Sequence, residues 1–223
     1  FFTNMVALGA SKVLALSFRP MDDDSRRKIK VVPPLLRPAV LDLRPASGAD
    51  DPAVRDGGYI HGYMLNAGFS QDVMEWHSVH PDVPLRFFWD RADEGAVKVV
   101  DETQSFYYLN DEEFLRQMAG CHAYASTAGF ESVCEAMYLG KPLLMVPSHI
   151  EQKCNAYDAT EGYRMTLAAS GENVPVPHPA VASDSFDLDL LLHFADNEFV
   201  EDESFPDWVR SADSMFLKEL TFL

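Results

Sequence analysis

The sequence lacks two features that usually reveal where a protein works. It has only three cysteines, an odd number without Cys-x-x-Cys spacing, which indicates reduced thiols and a cytoplasmic location. It also has no apolar run near the roughly 18 residues needed to span a bilayer, and no visible signal peptide. A transmembrane or secreted protein is therefore not expected.

Positive charge is also scarce. The 18 Lys and Arg residues are outnumbered by 35 Asp and Glu, which gives a formal charge of −17, and only Arg26, Arg27 and Lys28 form a basic cluster. Such an acidic surface repels nucleic acid and anionic membranes, which excludes both as main partners. Hydrophobic residues make up 47% of the chain, enough for a packed core.

Common catalytic signatures are missing as well. There is no Gly-x-Ser-x-Gly elbow for a hydrolase and no Gly-x-Gly-x-x-Gly fingerprint for a dehydrogenase. His77 and His80 are spaced as on one helix face, but Pro81 ends that helix and no carboxylate completes a metal set. The sequence therefore predicts no metal site and no cofactor.

The informative part of the sequence runs from Ser126 to Ala156. Apolar residues at i, i+3, i+4, i+7 and i+8 predict a helix of about ten residues. These residues are Phe130, Val133, Cys134, Met137 and Tyr138. Gly140 follows as an αL cap, Pro142 blocks further helix, and the apolar run 143–146 predicts a strand buried on both faces. Together these elements predict a βαβ unit.

The entrance of this helix is suited to an anion. Ala128 and Gly129 carry almost no side chain, and neither Ser126 nor Thr127 has a Glu or Gln three residues later to complete a capping box. The first-turn amides of residues 130–133 are then left for a ligand. Free amides at a helix N-terminus, next to a glycine that permits close approach, suit a diphosphate.

Polar residues at two further places suit a sugar nucleotide. Ser132 and Glu135 lie off the apolar stripe and are expected on the polar side of the helix, where a carboxylate can accept both hydroxyls of a ribose. Glu151 and Gln152 follow the next strand in a predicted loop, at the edge where open α/β sheets bind ligands. A carboxylate beside an amide suits sugar hydroxyls, and His149 lies at the same edge.

In order and spacing, these residues resemble the donor-binding signature of two-domain, GT-B-type glycosyltransferases. This superfamily contains the UDP-sugar glucosyltransferases and the lipid II N-acetylglucosaminyltransferase. Its pattern is small-Gly-aromatic-x-Ser/Thr-x-x-Glu-Ala, a Gly-x-Pro turn, an apolar strand ending in Pro, then Asp/Glu-Gln and Asn-Ala. The matching residues are Ala128, Gly129, Phe130, Ser132, Glu135, Ala136, Gly140, Pro142, Pro147, Glu151, Gln152, Asn155 and Ala156. Two positions depart from the pattern: Thr127 stands where many members have a phosphate-contacting His, and Glu131 adds a negative charge to the first helical turn.

The resemblance implies a role for each position. The residues implied to hold the diphosphate are Thr127, Ala128, Gly129, Phe130, Glu131 and Ser132. Glu135 would bind the ribose, and the donor sugar would contact His149, Glu151 and Gln152. The loop containing Phe106 and Leu109 would lie under the nucleotide base, although aromatic residues there are equally suited to the core. In such enzymes the catalytic base lies in the amino-terminal domain, so no catalytic residue is assigned.

A second strand, turn and helix come earlier in the chain. Tyr59 to Leu65 predicts a strand, residues 66–68 a small-residue turn, and Ser70 to His77 a helix. This repeats the phosphate-friendly arrangement, so Gly68 is either a further diphosphate contact or part of a plain turn between a strand and a helix.

Strand and helix alternate about every 20 to 30 residues between Tyr59 and Met165. The expected fold is α/β, a Rossmann-like parallel sheet with helices on both faces, as in the C-terminal half of a GT-B fold, plus terminal helices. We expect residues 1–40 to end an N-terminal domain and form the linker, 41–180 to form the donor-binding domain, and 181–223 to form helices that pack back toward the first domain. Loops are expected at 45–58 and 168–179.

The expected function is the donor-binding portion of a metal-independent glycosyltransferase, which transfers a sugar from a nucleotide-diphosphate sugar such as a UDP-sugar to an acceptor hydroxyl or amine. The chain opens without Met and is expected to be an inactive fragment by itself. A sugar-nucleotide 2-epimerase of the same fold and a non-catalytic binding or scaffolding domain stay open as alternatives. An apolar face on the terminal helices is expected to favour self-association. Its residues are Trp208, Phe216, Leu217 and Leu220.

Overall fold

The computed structural model describes residues 8–44, 57–162 and 178–221. Contacts divide the chain into two units, one formed by residues up to Leu36 together with those from Glu203 onward, the other by Arg37–Asp202. The domain boundaries predicted from the sequence were residues 40 and 180. Most of the two predicted loops, 45–58 and 168–179, lies outside the described residues.

Short strands and helices alternate along the described chain. The strands are β1 (Val13–Leu16), β2 (Ile29–Val32), β3 (Ile60–Tyr63), β4 (Leu85–Trp89), β5 (Val97–Val99), β6 (Gln104–Tyr108), β7 (Ala123–Ser126), β8 (Leu143–Met145) and β9 (Ala180–Ala182). The helices are α1 (Pro38–Leu43), α2 (Ser70–Val79), α3 (Asp111–Gly120), α4 (Phe130–Tyr138), α5 (Ile150–Tyr157), α6 (Leu188–Asn197), α7 (Ser204–Arg210) and α8 (Ala212–Thr221). None of these helices is both long enough and apolar enough to cross a bilayer.

The larger unit is built on a sheet with the strand order β5-β6-β4-β3-β7-β8-β9. Neighbouring strands from β6 to β9 pair in parallel, which confirms the predicted Rossmann-like α/β fold. Chain order runs outward from β3 in one direction through β4 and β6, and in the other from β7 through β8 to β9. The sheet therefore has its topological switch point between β3 and β7, where open α/β sheets bind ligands.

Strand β5 differs from the expectation of parallel pairing throughout. It lies antiparallel to β6, with Lys98 opposite Phe106. Only residues 100–103 connect the two strands, whereas a parallel crossover needs about a dozen residues or more. A hairpin is therefore the pairing that this connection allows.

Helices cover both faces of the sheet, as predicted. Ile60, Phe87 and Ala125 face a buried cluster that includes Val73 of α2 and Leu191 of α6. Alternate residues of the same strands point to the opposite face because side chains alternate along a strand. There the ring of His61 lies 4.8 Å from that of Phe114 on α3 and 5.2 Å from that of Tyr124 on β7, measured between centroids.

Three elements of the larger unit were missed by the sequence prediction. Helix α1 begins at the end of the predicted linker, and Pro38 stands at its first position, where a missing N–H costs nothing. The predicted loop at Glu151 and Gln152 is the first turn of α5. Strand β9 pairs in parallel with β8 just beyond a predicted loop.

The smaller unit contains the parallel pair β1-β2 together with α7 and α8. The apolar face predicted on the terminal helices is divided between two helices, which meet at Ser211. Trp208 is anchored, since its indole N–H donates to the Ser17 carbonyl at 3.0 Å. Leu217 and Leu220 remain 64% and 58% exposed.

Candidate functional site

The switch point brings two loops together at the carboxyl ends of β3 and β7. The Thr127 N–H donates to the Tyr63 carbonyl at 3.3 Å, and the Leu65 N–H donates to Thr127 Oγ1 at 3.4 Å. Thr127 is buried, so its hydroxyl joins the two loops within the protein. The loop that follows β7 leads directly into α4, the helix predicted to bind an anion.

The turn between β7 and α4 is held in an unusual conformation. Ala128 is fully buried and has a φ of +60°, in the left-handed region that side chains with a Cβ disfavour. Its N–H donates to Ser126 Oγ at 3.2 Å, and its carbonyl accepts from Asn155 Nδ2 on α5 at 3.0 Å. Such strained residues persist where the surroundings fix them, and they cluster at functional sites.

The amino end of α4 has no side-chain cap. Gly129 is the N-cap residue, and its carbonyl accepts from the Val133 N–H at 3.1 Å and from Ser132 Oγ at 3.3 Å. The Val133 N–H is thus bonded within the helix and is not available to an anion. Residue 133 is therefore removed from the predicted set of ligand-binding amides, 130–133. The first-turn N–H groups of Glu131 and Ser132 have no intrahelical acceptor, and the helix dipole adds partial positive charge there. An uncapped helix terminus of this kind is suited to an anion.

Gly129 is not a glycine that the fold requires. Its φ of −64° and ψ of 135° are open to any residue. A Cβ built there would meet only Ser132 Oγ, at 3.8 Å, which is an ordinary contact. The space beside Gly129 is therefore open, as close approach of a ligand to the backbone demands.

Glu135 is buried in α4 rather than lying on a polar face, which corrects the expectation from the apolar stripe. Its side chain is 1% exposed, and both oxygens accept from Arg37, at 2.7 Å from Nε and 2.9 Å from Nη2. Burial raises the pKa of the Glu135 carboxyl, Arg37 opposes that rise, and the nearby carboxylates of Glu131 and Asp111 add to it. A guanidinium fork is the arrangement that keeps a buried carboxylate charged.

Arg37 is the site residue that the sequence prediction missed. It is a lone Arg in a proline-rich connector, 98 positions before Glu135, and no local pattern links the two. A fork uses one lone pair on each carboxylate oxygen and leaves others for hydroxyl donors. Arg37 Nη1 also lies 3.9 Å from Asp111 Oδ2, which places the start of α3 and the preceding Leu109 loop beside this pair.

The two residues predicted to lie under the base differ in position. Phe106 is completely buried and stacks on Trp89, with centroids 4.4 Å apart, so it belongs to the core and offers no surface to a base. This corrects the prediction for Phe106, because in β6 alternate side chains face inward. Leu109 follows the end of β6 and is 41% exposed.

Gly68 lies in a short turn after β3, at the switch point. Its N–H donates to Asn66 Oδ1 at 2.8 Å, so the amide that would contact a phosphate is engaged within its own turn. The structure thus favours the plain-turn interpretation of Gly68 over a diphosphate contact.

The residues predicted to hold the donor sugar lie at the start of α5. His149 is the N-cap residue, and both it and Glu151 are exposed. Gln152 is instead buried, and its Oε1 accepts from the Ser148 N–H at 2.8 Å and from Ser148 Oγ at 2.7 Å. Within residues 8–44, 57–162 and 178–221, no group of three or more His, Cys, Asp or Glu side chains is arranged to hold a metal.

Comparison with known proteins identifies similar sequences and folds. Residues 4–171 match the sequence profile of glycosyl transferase family 1, which covers most of the chain. A search of curated proteins found no match. Among solved structures, the glycosyltransferase of kitacinnamycin is 16% identical with a TM-score of 0.56, covering 91% of this chain and 51% of its own.

Two plant proteins also have similar folds. Phytolacca americana UGT2, solved with UDP-2fluoro-glucose and pterostilbene, is 12% identical with a TM-score of 0.50, covering 89% of this chain and 47% of its own. Arabidopsis thaliana UGT89C1, solved with quercetin, is 16% identical with a TM-score of 0.50, covering 85% of this chain and 46% of its own. The chain thus spans about half the length of these structures and shares their fold. The sequence resemblance is confirmed by the profile match: the chain belongs to glycosyl transferase family 1.

Proposed function

We propose that this chain is the donor-binding portion of a glycosyltransferase that takes its sugar from a nucleoside diphosphate. The observation that carries the proposal is the amino end of α4. It lies at the switch point of a parallel sheet, has no side-chain cap, and begins at a glycine that neither backbone conformation nor packing requires. These are the properties of a helix terminus that accepts a phosphate group.

The surrounding residues supply a place for each part of the donor. The diphosphate would accept hydrogen bonds from the amides of Gly129, Glu131 and Ser132. The ribose hydroxyls would donate to lone pairs of Glu135 that Arg37 leaves available, once the groups that bury that carboxylate move aside. Leu109 would lie against the base, and the exposed His149 and Glu151 would face the sugar.

In the proposed reaction, the sugar moves to an acceptor hydroxyl or amine and the nucleoside diphosphate departs. Negative charge develops on the diphosphate as the bond to the sugar breaks, and preorganised amides at a helix terminus stabilise such charge. The α4 amides would thus supply the electrophilic assistance without a metal ion.

The proposal for this chain by itself is donor binding without transfer, since it spans about half the length of the solved structures that it matches. The residues that bind the acceptor, and the base that deprotonates it, are expected to lie outside this chain. A cytoplasmic location also remains a prediction, which rests on the three cysteines.

A thermal-shift panel tests donor binding directly. The ligands are UDP, dTDP and GDP, their glucose conjugates, UMP and uridine, each titrated against the chain. We expect at least one diphosphate to raise the unfolding temperature progressively with concentration, because ligands that bind the native state stabilise it. UMP should act more weakly and uridine least. No shift with any diphosphate, or an equal shift with uridine, would contradict the proposal and favour the scaffolding alternative.

We also propose weak self-association through the smaller unit, supported by the exposed Leu217 and Leu220 on α8. Sedimentation velocity over a range of concentrations tests it. The sedimentation coefficient should rise with concentration for the parent chain and stay constant for a Leu217→Glu/Leu220→Glu variant. A concentration-independent monomer in both cases would contradict it.

A further inference from the structure

Two amide side chains of α5 form hydrogen bonds to two neighbouring loops at the carboxyl edge of the sheet. Gln152 accepts from the backbone and the hydroxyl of Ser148 in the loop after β8. Asn155, one turn later on the same helix, donates to the carbonyl of Ala128 in the loop after β7, at 3.0 Å. Residues three apart on a helix lie on the same side, so one face of α5 holds both loops.

The bond from Asn155 fixes the orientation of a particular peptide plane. The Ala128 carbonyl and the Gly129 N–H belong to the same peptide unit, which is planar and trans. In such a unit the C=O and N–H point in opposite directions. Holding the carbonyl toward Asn155 therefore turns the Gly129 N–H away from α5.

The conformation of Ala128 makes this anchor necessary. Its φ of +60° is disfavoured for a residue with a Cβ, and relaxation out of that region would rotate the adjoining peptide planes. Ser126 Oγ, at 3.2 Å from the Ala128 N–H, fixes one side of the residue. Asn155 fixes the other side, where α4 begins.

We infer that Asn155 is a positioning residue for the diphosphate. It holds the peptide between Ala128 and Gly129 so that the Gly129 N–H joins the first-turn amides of α4 in one anion-binding set. This inference rests on the proposed donor-binding function of α4. Asn155 itself makes no contact with the donor. Its bond links α5, whose first turn is proposed to face the sugar, to the loop that leads into α4, which is proposed to bind the phosphates.

The experiment compares UDP and uridine binding, by calorimetric titration, in the parent chain and three variants. Asn155→Ala removes the donor to the Ala128 carbonyl, and Asn155→Ala/Ala128→Gly places at the turn a residue that adopts positive φ without strain. The control is Asn197→Ala, which removes a bond of similar length from Nδ2 to a backbone carbonyl, that of His193, at 2.9 Å on α6 and away from the site.

We expect Asn155→Ala to weaken UDP binding about tenfold while leaving uridine binding unchanged, since one hydrogen bond of ordinary strength corresponds to such a factor. The double variant should recover part of the UDP affinity, and Asn197→Ala should match the parent. UDP binding by Asn155→Ala at parental affinity, or an equal loss for uridine, would overturn the inference while the proposed function stands. Failure of the parent to bind UDP would overturn the proposed function itself, and the inference with it.

Discussion

A glycine flanks each end of helix α4, yet the terminal backbone groups of the two ends are capped differently. At the carboxyl end, the Lys141 N–H donates to the Ala136 carbonyl at 2.9 Å and the Gly140 N–H to the Met137 carbonyl at 3.2 Å, which is a Schellman motif. Arg44 Nη1 adds a bond to the Tyr138 carbonyl at 2.8 Å. The last turn is thus satisfied by the protein itself.

At the amino end, the protein supplies no side-chain cap. Gly140 has a φ of +66° and Gly129 a φ of −64°, so only the first needs to be glycine for its backbone. A glycine beside a helix is therefore structural where its backbone conformation requires glycine, and a candidate for function where neither conformation nor packing requires it.

Among substitutions in and around α4 at pH 7.5, the largest loss of stability should come from the middle of the helix, where Arg37 neutralises Glu135. Arg37→Ala leaves a buried carboxylate without its counter-charge and should lower the free energy of unfolding by about 3 kcal/mol. The matched control is Arg116→Ala, which breaks a fork to Glu113 on the surface and should cost less than about 1 kcal/mol. Equal losses of unfolding free energy in Arg37→Ala and Arg116→Ala, measured by urea denaturation, would show that burial of the Arg37 pair has no energetic consequence.

The carboxyl end should be the more sensitive of the two ends. Gly140→Ala forces a left-handed φ on a residue with a Cβ, and that Cβ would meet the Glu201 carboxylate and lie 3.0 Å from Arg44 Nη1. We expect a loss of about 2 kcal/mol in the free energy of unfolding. A variant as stable as the parent would mean that Gly140 is not fixed by its conformation.

The pH of these measurements matters because of His61. Burial lowers the pKa of His61 to about 3, so the ring is neutral in the folded protein at neutral pH. The unfolded chain takes up a proton near pH 6.5, so stability is complete above that pH and falls by about 1.4 kcal/mol per unit as the pH drops from 6.5 toward 3.

A His61→Phe variant checks this assignment, since its ring suits the contacts with Phe114 and Tyr124. Unfolding free energies of the parent and the variant, followed from pH 7.5 to 5, should diverge below 6.5 because the variant lacks the titrating group. Parallel pH profiles would show that another group controls acid sensitivity. The two ends of α4 are best compared at pH 7.5, where this contribution is constant.

The smallest effect on stability should come from Gly129→Ala. The backbone conformation suits alanine and the Cβ would meet only Ser132 Oγ, so the free energy of unfolding should change by less than about 0.5 kcal/mol. Chemical denaturation of the variant beside Gly140→Ala measures the contrast. A loss as large as that of Gly140→Ala would remove the distinction between the two ends.

Much of the larger unit could be predicted from local pattern. The helix α4 follows the period of its apolar stripe, Gly140 adopts the expected αL conformation, and Asn110 caps α3 by accepting from the Glu113 N–H at 3.0 Å. Helix α5 was not predicted from the sequence because its apolar pattern is weak, and Ile150 is 77% exposed. Its buried contacts, through Gln152 and Asn155, reach residues of neighbouring loops.

The candidate site was predicted less completely because its decisive contacts are long-range. The position of Gly129 at a helix entrance was readable from the sequence. The burial of Glu135 was not, since its partner Arg37 lies in a different part of the chain. The sequence left two positions open for Phe106, in the core or under the base. The pairing register of β6 with β4 places its side chain in the core.

A calorimetric titration of UDP into the parent chain, Gly129→Ala and Gly140→Ala at pH 7.5 tests most directly whether the amino end of α4 binds the diphosphate. We predict that Gly129→Ala, although as stable as the parent, binds UDP at least about tenfold more weakly, because its methyl group occupies the space open to the ligand. Gly140→Ala, although less stable, should bind UDP like the parent at a temperature where it is folded. Equal UDP affinity in the parent and Gly129→Ala would contradict the proposal that the uncapped end of α4 binds the diphosphate.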